Sequence, residues 1–474
     1  MIKRQRLVPL IVAVALFMEN MDSTVISTSL PAIAVDIGTN PLALKLAITS
    51  YLLALAIFIP ASGWMADRFG ARTVFSAAIV VFVSGSIACA FSQALEHFVV
   101  ARFLQGMGGA MMTPVGRLIL VRTVSRTELV RAMALMTTPA VIGPLLGPPL
   151  GGFITTYLSW HWIFFINVPI GMIGFVLVQR FVENVRGEEQ ARFDFVGMIL
   201  VGVGVGGLAF GASVLGLGFL PAGVVVALIV GGATSTFAYV LHARRTPAPV
   251  LDLSLLQLPT LRASVVGGSL FRIGAGAMPF LLPLLLQIGF HMTPFQSGLI
   301  TFATAIGALS NKAVIARVLA RYGFRTVLTG NALIASAFVA AGAVFALGLP
   351  VPAIILTLLV SGFFRSLQFT SLNIIAFADV DPAHSSRATS LVSVAQQLSM
   401  SIGVATGAFA VETTLRLKGE PTMTASDFIP AFLVVAAIAA SSAVLFARLP
   451  ANAGAELTRR RPVSERADRS SGVG

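Results

Sequence analysis

ADRFGARTVF, from Ala66 to Phe75, returns as LARYGFRTVL, from Leu319 to Leu328, 253 residues further along the chain. The echo is not isolated. Arg102-Phe-Leu-Gln105 is matched by Arg365-Ser-Leu-Gln368, Leu30-Pro31 by Leu282-Pro283 and Arg131-Ala132 by Arg387-Ala388, in one order and at offsets of 252 to 263 residues. Each pair alone is weak, but together they describe a chain built from two similar halves. In a strongly hydrophobic chain that pattern points to a secondary transporter, in which cargo sits between the halves.

Composition supports the membrane reading. Of the 474 residues 56% are hydrophobic and 11% charged, against about 25% charged in soluble domains. Cys89 is the single cysteine, which excludes an internal disulfide or a cysteine-rich metal site. His97, His161, His242, His291 and His384 are dispersed, without metal-ligand spacing or a nucleotide-binding loop, so the sequence predicts neither an enzyme nor a metal or organic cofactor.

With about 20 apolar residues taken as one crossing, fourteen spans are expected, near 7–32, 45–65, 72–92, 97–119, 131–157, 161–182, 195–215, 220–242, 262–288, 295–317, 325–347, 351–376, 387–412 and 428–447. An even number places both termini on one side. That side carries 25 Lys and Arg, the other only Lys45, Arg416 and Lys418, and Arg102, Arg272, Lys312 and Arg365 fall within spans. Positive residues mark the cytoplasmic face, so a multi-pass protein of the cytoplasmic (inner) membrane with both termini on the cytoplasmic side is expected. The formal charge of +13 then reflects topology and lipid headgroups, and nucleic acid is not an expected partner. Lys3, Arg4 and Arg6 before Leu7–Met18 resemble a signal peptide, but Glu19 and Asp22 interrupt the apolar run. The segment is therefore expected to stay as the first span. The spacing divides the chain into a six-helix bundle at 1–182, two additional helices with linkers at 183–255, a second six-helix bundle at 256–447 and a basic, disordered cytoplasmic tail at 448–474.

Four motifs in order resemble the major facilitator superfamily, in particular its fourteen-span drug:proton antiporter branch. They are Gly63-Trp-Met-Ala-Asp67-Arg68-Phe-Gly70-Ala-Arg72, Arg102-Phe-Leu-Gln105-Gly106, Gly143-Pro144-Leu-Leu-Gly147-Pro148-Pro149-Leu-Gly151-Gly152 and Met21-Asp22-Ser-Thr-Val-Ile-Ser-Thr-Ser-Leu30-Pro31. SWHWIFFINVPIG at Ser159–Gly171 is also typical of the branch, and its Trp160 and Trp162 suit the outer aromatic belt. The resemblance implies an all-α membrane protein of the major facilitator fold, with two pseudo-symmetric six-helix bundles plus two central helices. It implies a monomer driven by the proton gradient.

The resemblance also assigns roles. Gly63, Asp67, Arg68, Gly70 and Arg72 would form the gating motif; the second half keeps Arg321, Gly323 and Arg325 but has Ala320 in place of the acid. Gly143, Pro144, Gly147, Pro148, Gly151 and Gly152 would form the antiporter motif, with a packing-driven kink as the competing reading. Arg102 would act in proton coupling with acids of the first span; an intramembrane arginine is otherwise a snorkelling one.

Asp22 is the first choice for the proton carrier, because a carboxyl group within a span can load and release a proton as water access alternates. Glu19, three residues earlier, shares nearly the same helical face and could share the proton, meet cationic cargo, or pair with Arg272 or Lys312. The expected cargo cavity includes Glu19, Gln105, Met136, Arg272, Arg365 and Gln396, with Asn373 and Gln397 as further polar groups. Met107, Met111, Met112, Met133 and Met136 could form an adaptable apolar wall. The expected function is export of amphipathic, often cationic small molecules by proton antiport. An exporter of an endogenous metabolite, amino acid or lipid, with Arg272, Arg365 and Lys312 binding an anionic group, is the alternative; a membrane sensor that moves nothing is a more distant one.

Overall fold

A chain in lipid must satisfy its backbone hydrogen bonds internally, which leaves helices or closed barrels. The computed structural model describes residues 4–124, 126–187, 193–214, 217–218, 220–381, 384–419 and 422–458; of the expected tail, 459–474 lies outside the described residues, as does Lys3. Among the described residues there are helices and no strand. In chain order the long helices are α1 (Leu7–Thr28), α2 (Lys45–Phe69), α3 (Ala71–Ala90), α4 (Leu95–Thr123), α5 (Arg126–Tyr157), α6 (Trp162–Phe181), α7 (Phe195–Val214), α8 (Ala222–Ala243) and α9 (Pro259–Gly289). They continue as α10 (Pro294–Ser310 and Ile315–Tyr322, bent by 59°), α11 (Phe324–Phe345), α12 (Val351–Ile375), α13 (Ser385–Lys418) and α14 (Ala425–Ala447). Among the described residues eleven helices are long and apolar enough to cross a bilayer, twelve with the bent α10. With α4 and α5, of 29 and 32 residues, the fourteen expected helices are present in order.

The repeat in the sequence is a repeat in the packing. α1 packs on α5 and α9 on α13; α2 packs on α4 and α10 on α12; α3 packs on α6 and α11 on α14. The echoed decapeptide makes the same corner twice. Gly70 after α2 and Gly323 after the second arm of α10 have φ of +93° and +76°, a conformation open to glycine without steric cost. The halves meet where α5 lies against α10 and where α13 lies against α2, two contacts related by the same repeat.

The face opposite the termini is closed. Gln287 Nε2 donates to the Thr28 carbonyl at 2.9 Å, the Phe295 N–H donates to Thr156 Oγ1 at 3.1 Å, and the buried Lys45 ammonium reaches Glu412 at 3.5 Å. The Tyr157 and Phe295 rings meet at 5.8 Å over the same junction. The inserted hairpin α7–α8 packs through α7 on both α2 and α13 and so covers one seam between the halves. Its ends are tied down. Asp194 accepts from Gly197 N–H at 2.8 Å and contacts His242 at 2.7 Å, while Trp64 stacks on Phe193 at 4.8 Å. Arg387 at the start of α13 donates to Asp252 at 3.2 Å. Burial alone would raise the Asp252 carboxyl, but hydrogen bonds from Ser254 and Arg387 outweigh it and hold the group below its usual range.

Candidate functional site

α1, α4 and α6 bring a polar cluster into the core of the first half. Asp22 is fully buried. Its Oδ2 accepts from Arg102 Nη1 at 2.7 Å, and its Oδ1 accepts from Gln105 Nε2 at 2.8 Å and Asn167 Nδ2 at 2.7 Å. Gln105 Oε1 in turn accepts from Arg102 Nη1 at 2.7 Å, and Asn167 also donates to Ser86 Oγ at 3.0 Å. Every partner of Asp22 is a donor, the complement of a carboxylate that only accepts. Helical spacing explains the grouping on α4, where Arg102 and Gln105 are three apart and share a face. Arg102 is 1% exposed and paired, so it does not snorkel to an interface.

Beside this cluster a cavity of about 930 Å³ opens on the face that carries both termini. Its volume suits a drug-sized molecule. Glu19 lies at its inner end, midway along α1, and accepts from Thr113 Oγ1 at 2.9 Å. Leu55, Ile59, Ala110, Leu118 and Val121 of α2 and α4 form an apolar wall, and Asp67 and Arg68 stand at the mouth. The facing wall is α13, which presents Ser386, Thr389, Ser390, Ser393, Gln396 and Gln397. Their spacing of three and four residues is one helical stripe.

The two glycine-bearing motifs serve different contacts. A Cβ at Gly143, Gly147 or Gly151 would overlap Met21 and Phe17, Thr24, or Val25 of α1, and one at Gly152 would overlap Pro294 across the half boundary. Close approach of α5 to α1 and α10 therefore requires these glycines. In the first motif Asp67 pairs with Arg122 of the same half, and the Arg122 guanidinium and Ala71 N–H both donate to the Val185 carbonyl, at 3.5 and 3.1 Å.

Several expected cavity residues lie elsewhere. Gln105 is fully buried in the Asp22 cluster, and Met136 is packed in the core of the first half. Arg272 is buried in the second half, donates to the Ser264 carbonyl at 3.1 Å and lies 5.8 Å from the Phe369 ring, so the Glu19–Arg272 pair is not formed. Arg365 does not border the cavity, nor do the five methionines of α4 and α5. Lys312 is exposed at the bend of α10. Trp160, expected in the aromatic belt, is 4% exposed and donates to Asp36 at 3.0 Å, whereas Trp162 is exposed. Glu19, Gln396, Gln397 and Asn373 do line the cavity. Asn167, Tyr51 and the hydroxyl stripe of α13 were not singled out from the sequence; the spacing of Ser386, Ser390, Ser393 and Gln397 was the available signal.

The geometry agrees with the chain's relatives. A model of the Major Facilitator Superfamily matches residues 12–403 and, overlapping, 264–471. The chain is 38% identical over 456 residues to the "Putative multidrug resistance protein MdtD" of Salmonella heidelberg, covering 93% of this chain and 94% of that one. It is 37% identical over 452 residues to the protein of the same name from Serratia proteamaculans, covering 93% of each. Among solved structures, a D-xylose–proton symporter superposes with a TM-score of 0.68 at 14% identity, covering 94% of this chain and 98% of the other. An auto-inhibited peptide transporter of the POT family gives 0.66 at 19%, covering 96% and 97%. With its fourteen helices, repeated halves and a cavity between them, the chain belongs to the major facilitator superfamily of multi-pass membrane transporters.

Proposed function

We propose that the protein is a proton-coupled antiporter that exports amphipathic, often cationic small molecules across the inner membrane. The observation that carries this reading is the placement of Glu19. It is the carboxylate at the inner end of a cavity with a mainly apolar wall on α2 and α4 and a polar wall on α13. The cavity's other charged residues, Asp67, Arg68, Arg117, Asp194 and Arg387, are nearer the mouth and include Arg387 paired with Asp252. A lipophilic cation would lay its apolar surface on α2 and α4 and its charge on Glu19. Cargo and proton then compete for one carboxylate, which is the minimal device for antiport. Both termini are cytoplasmic on the distribution of Lys and Arg, so the present state is open inward and closed outward. The cavity is complete within one chain, which suits a monomer, and the proton gradient is the energy source.

Asp22, the first choice from sequence, takes a different part here. It has no side open to the cavity and holds α1, α4 and α6 together through Arg102, Gln105 and Asn167. Exchange with cargo falls to Glu19, and the Asp22–Arg102 pair is the group whose arrangement must respond to it. The alternative of an anionic metabolite held by Arg272, Arg365 and Lys312 finds no support, since none of the three borders the cavity. Support for drug-like cargo also comes from the name of the MdtD relatives.

Proton movement in everted membrane vesicles tests the proposal. Addition of tetraphenylphosphonium should release protons from energised vesicles with the wild-type protein and fail to do so with Glu19→Gln. Equal release by both would remove Glu19 from the exchange. No release by wild type with any of a panel of cations and neutral drugs would sink the antiport reading.

A further inference from the structure

Tyr51 is a buried polar side chain that the scheme above leaves unused. It lies on α2, is 1% exposed, and its hydroxyl has no hydrogen-bond partner among the described residues. An unsatisfied buried hydroxyl costs about 1–3 kcal/mol, and phenylalanine would fill the same space without that cost. The ring and the hydroxyl face two different systems. The Arg102 guanidinium carbon lies 4.3 Å from the ring centroid, a cation–π contact that makes the ring a wall of the Asp22 cluster. The hydroxyl ends at Gly109 of α4. A Cβ on Gly109 would stand 3.1 Å from Tyr51 Oη and 3.5 Å from Glu19 Cγ, so the hydroxyl and the Glu19 side chain border the same gap. Gly109 itself lines the cavity. One helical turn away, Gly106 packs against the Tyr51 carbonyl, which holds the backbone of α2 in place.

We propose that Tyr51 is the positioning residue that couples Glu19 to the Asp22–Arg102 pair. In the present state Glu19 accepts from Thr113 and the Tyr51 hydroxyl waits without a partner. When Glu19 passes its proton to cavity water, its carboxylate leaves Thr113 and accepts a hydrogen bond from Tyr51 Oη. Tyr51 keeps its own proton throughout. The rotation that makes this bond shifts the ring beneath Arg102, and the occupancy of the cavity is thereby felt by the buried pair. The inference rests on the antiport reading and adds to it the group that links its two acids.

Tyr51→Phe tests it with three readouts. Thermal unfolding of the purified protein should be unchanged or raised, because the hydroxyl has no partner to lose. Binding of a fluorescent lipophilic cation should be retained. Cargo-triggered proton release in vesicles should fall by at least about 10-fold and up to about 160-fold, the worth of a hydrogen bond to a charged group, with fewer protons released per cargo moved. Gly109→Ala, which crowds the hydroxyl, should reproduce the coupling loss with Tyr51 intact. A wild-type proton-to-cargo ratio in Tyr51→Phe overturns the proposal, and so does a lowered unfolding temperature, which would mean that the hydroxyl has a structural partner. No proton release in wild type overturns the antiport reading and this inference with it, an outcome distinct from equal release by both proteins.

Discussion

Asp22→Asn should damage the fold of the first half more than any change in the cavity. The substitution keeps the shape of the side chain and replaces one acceptor oxygen by an NH2 group. All three partners of Asp22 donate, through Arg102 Nη1, Gln105 Nε2 and Asn167 Nδ2. Whichever way the new amide turns, a donor faces a donor, and Arg102 is left inside with no compensating charge. Removing one member of a buried ion pair costs about 3–5 kcal/mol. At roughly 2–4 °C per kcal/mol for a unit the size of one six-helix half, the loss is roughly 6–20 °C in Tm. Thermal unfolding in detergent, followed by tryptophan fluorescence, measures it. Adding Arg102→Met should recover much of the stability, since replacing both members of a buried pair by apolar groups is often neutral, but should not recover transport. Unfolding of Asp22→Asn within about 2 °C of wild type, or a further loss on adding Arg102→Met, would show that the buried pair does not hold the first half together.

Four further substitutions probe other parts of the molecule. Gly151→Leu would drive a side chain into the Val25 carbonyl and Thr28 and should cost about 1–3 kcal/mol with loss of transport, whereas Gly206→Ala on α7, where a Cβ meets nothing within 4 Å, should raise stability by about 0.5–1 kcal/mol; both are read by thermal unfolding, and transport by cation accumulation in vesicles. Gln397→Leu in the α13 stripe should weaken export of a cation bearing several hydroxyl groups by about 2- to 12-fold, one hydrogen bond's worth, and leave tetraphenylphosphonium unchanged in the same uptake assay; equal effects on both cargoes would remove the stripe from recognition. Asp252, whose carboxyl is held below its usual range, stabilises the folded state at any pH above about 3.9. Asp252→Asn should therefore unfold at lower temperature than wild type at pH 7, with the gap closing as the pH falls below about 4 and through the depressed value; a gap that does not depend on pH would refute the assignment.

The helices, their number and the two-fold repeat could be read from the chain because they follow from local rules. About 20 apolar residues must span hydrocarbon as a helix whatever lies beside them, and the ADRFGARTVF echo marks a corner that needs glycine at both Gly70 and Gly323. The same rules single out Glu19, Asp22 and Arg102, since charge within a span is costly wherever it sits. Which of them meets water is a different matter. Glu19 and Asp22 are three residues apart on one helix and differ by a fraction of a turn, yet one lines the cavity and the other is sealed under α4 and α6. That depends on how α1 is rotated against its neighbours, and hydropathy carries no information on rotation. For the same reason Gln105 turned inward, Arg272 stayed within its own half, and Tyr51, Asn167 and the α13 stripe came into view only once the helices were packed. Local rules along the chain set the spans and the residues able to carry charge through them. Which side chains face the cavity is settled by packing, because that choice is made by contacts between helices far apart in the chain.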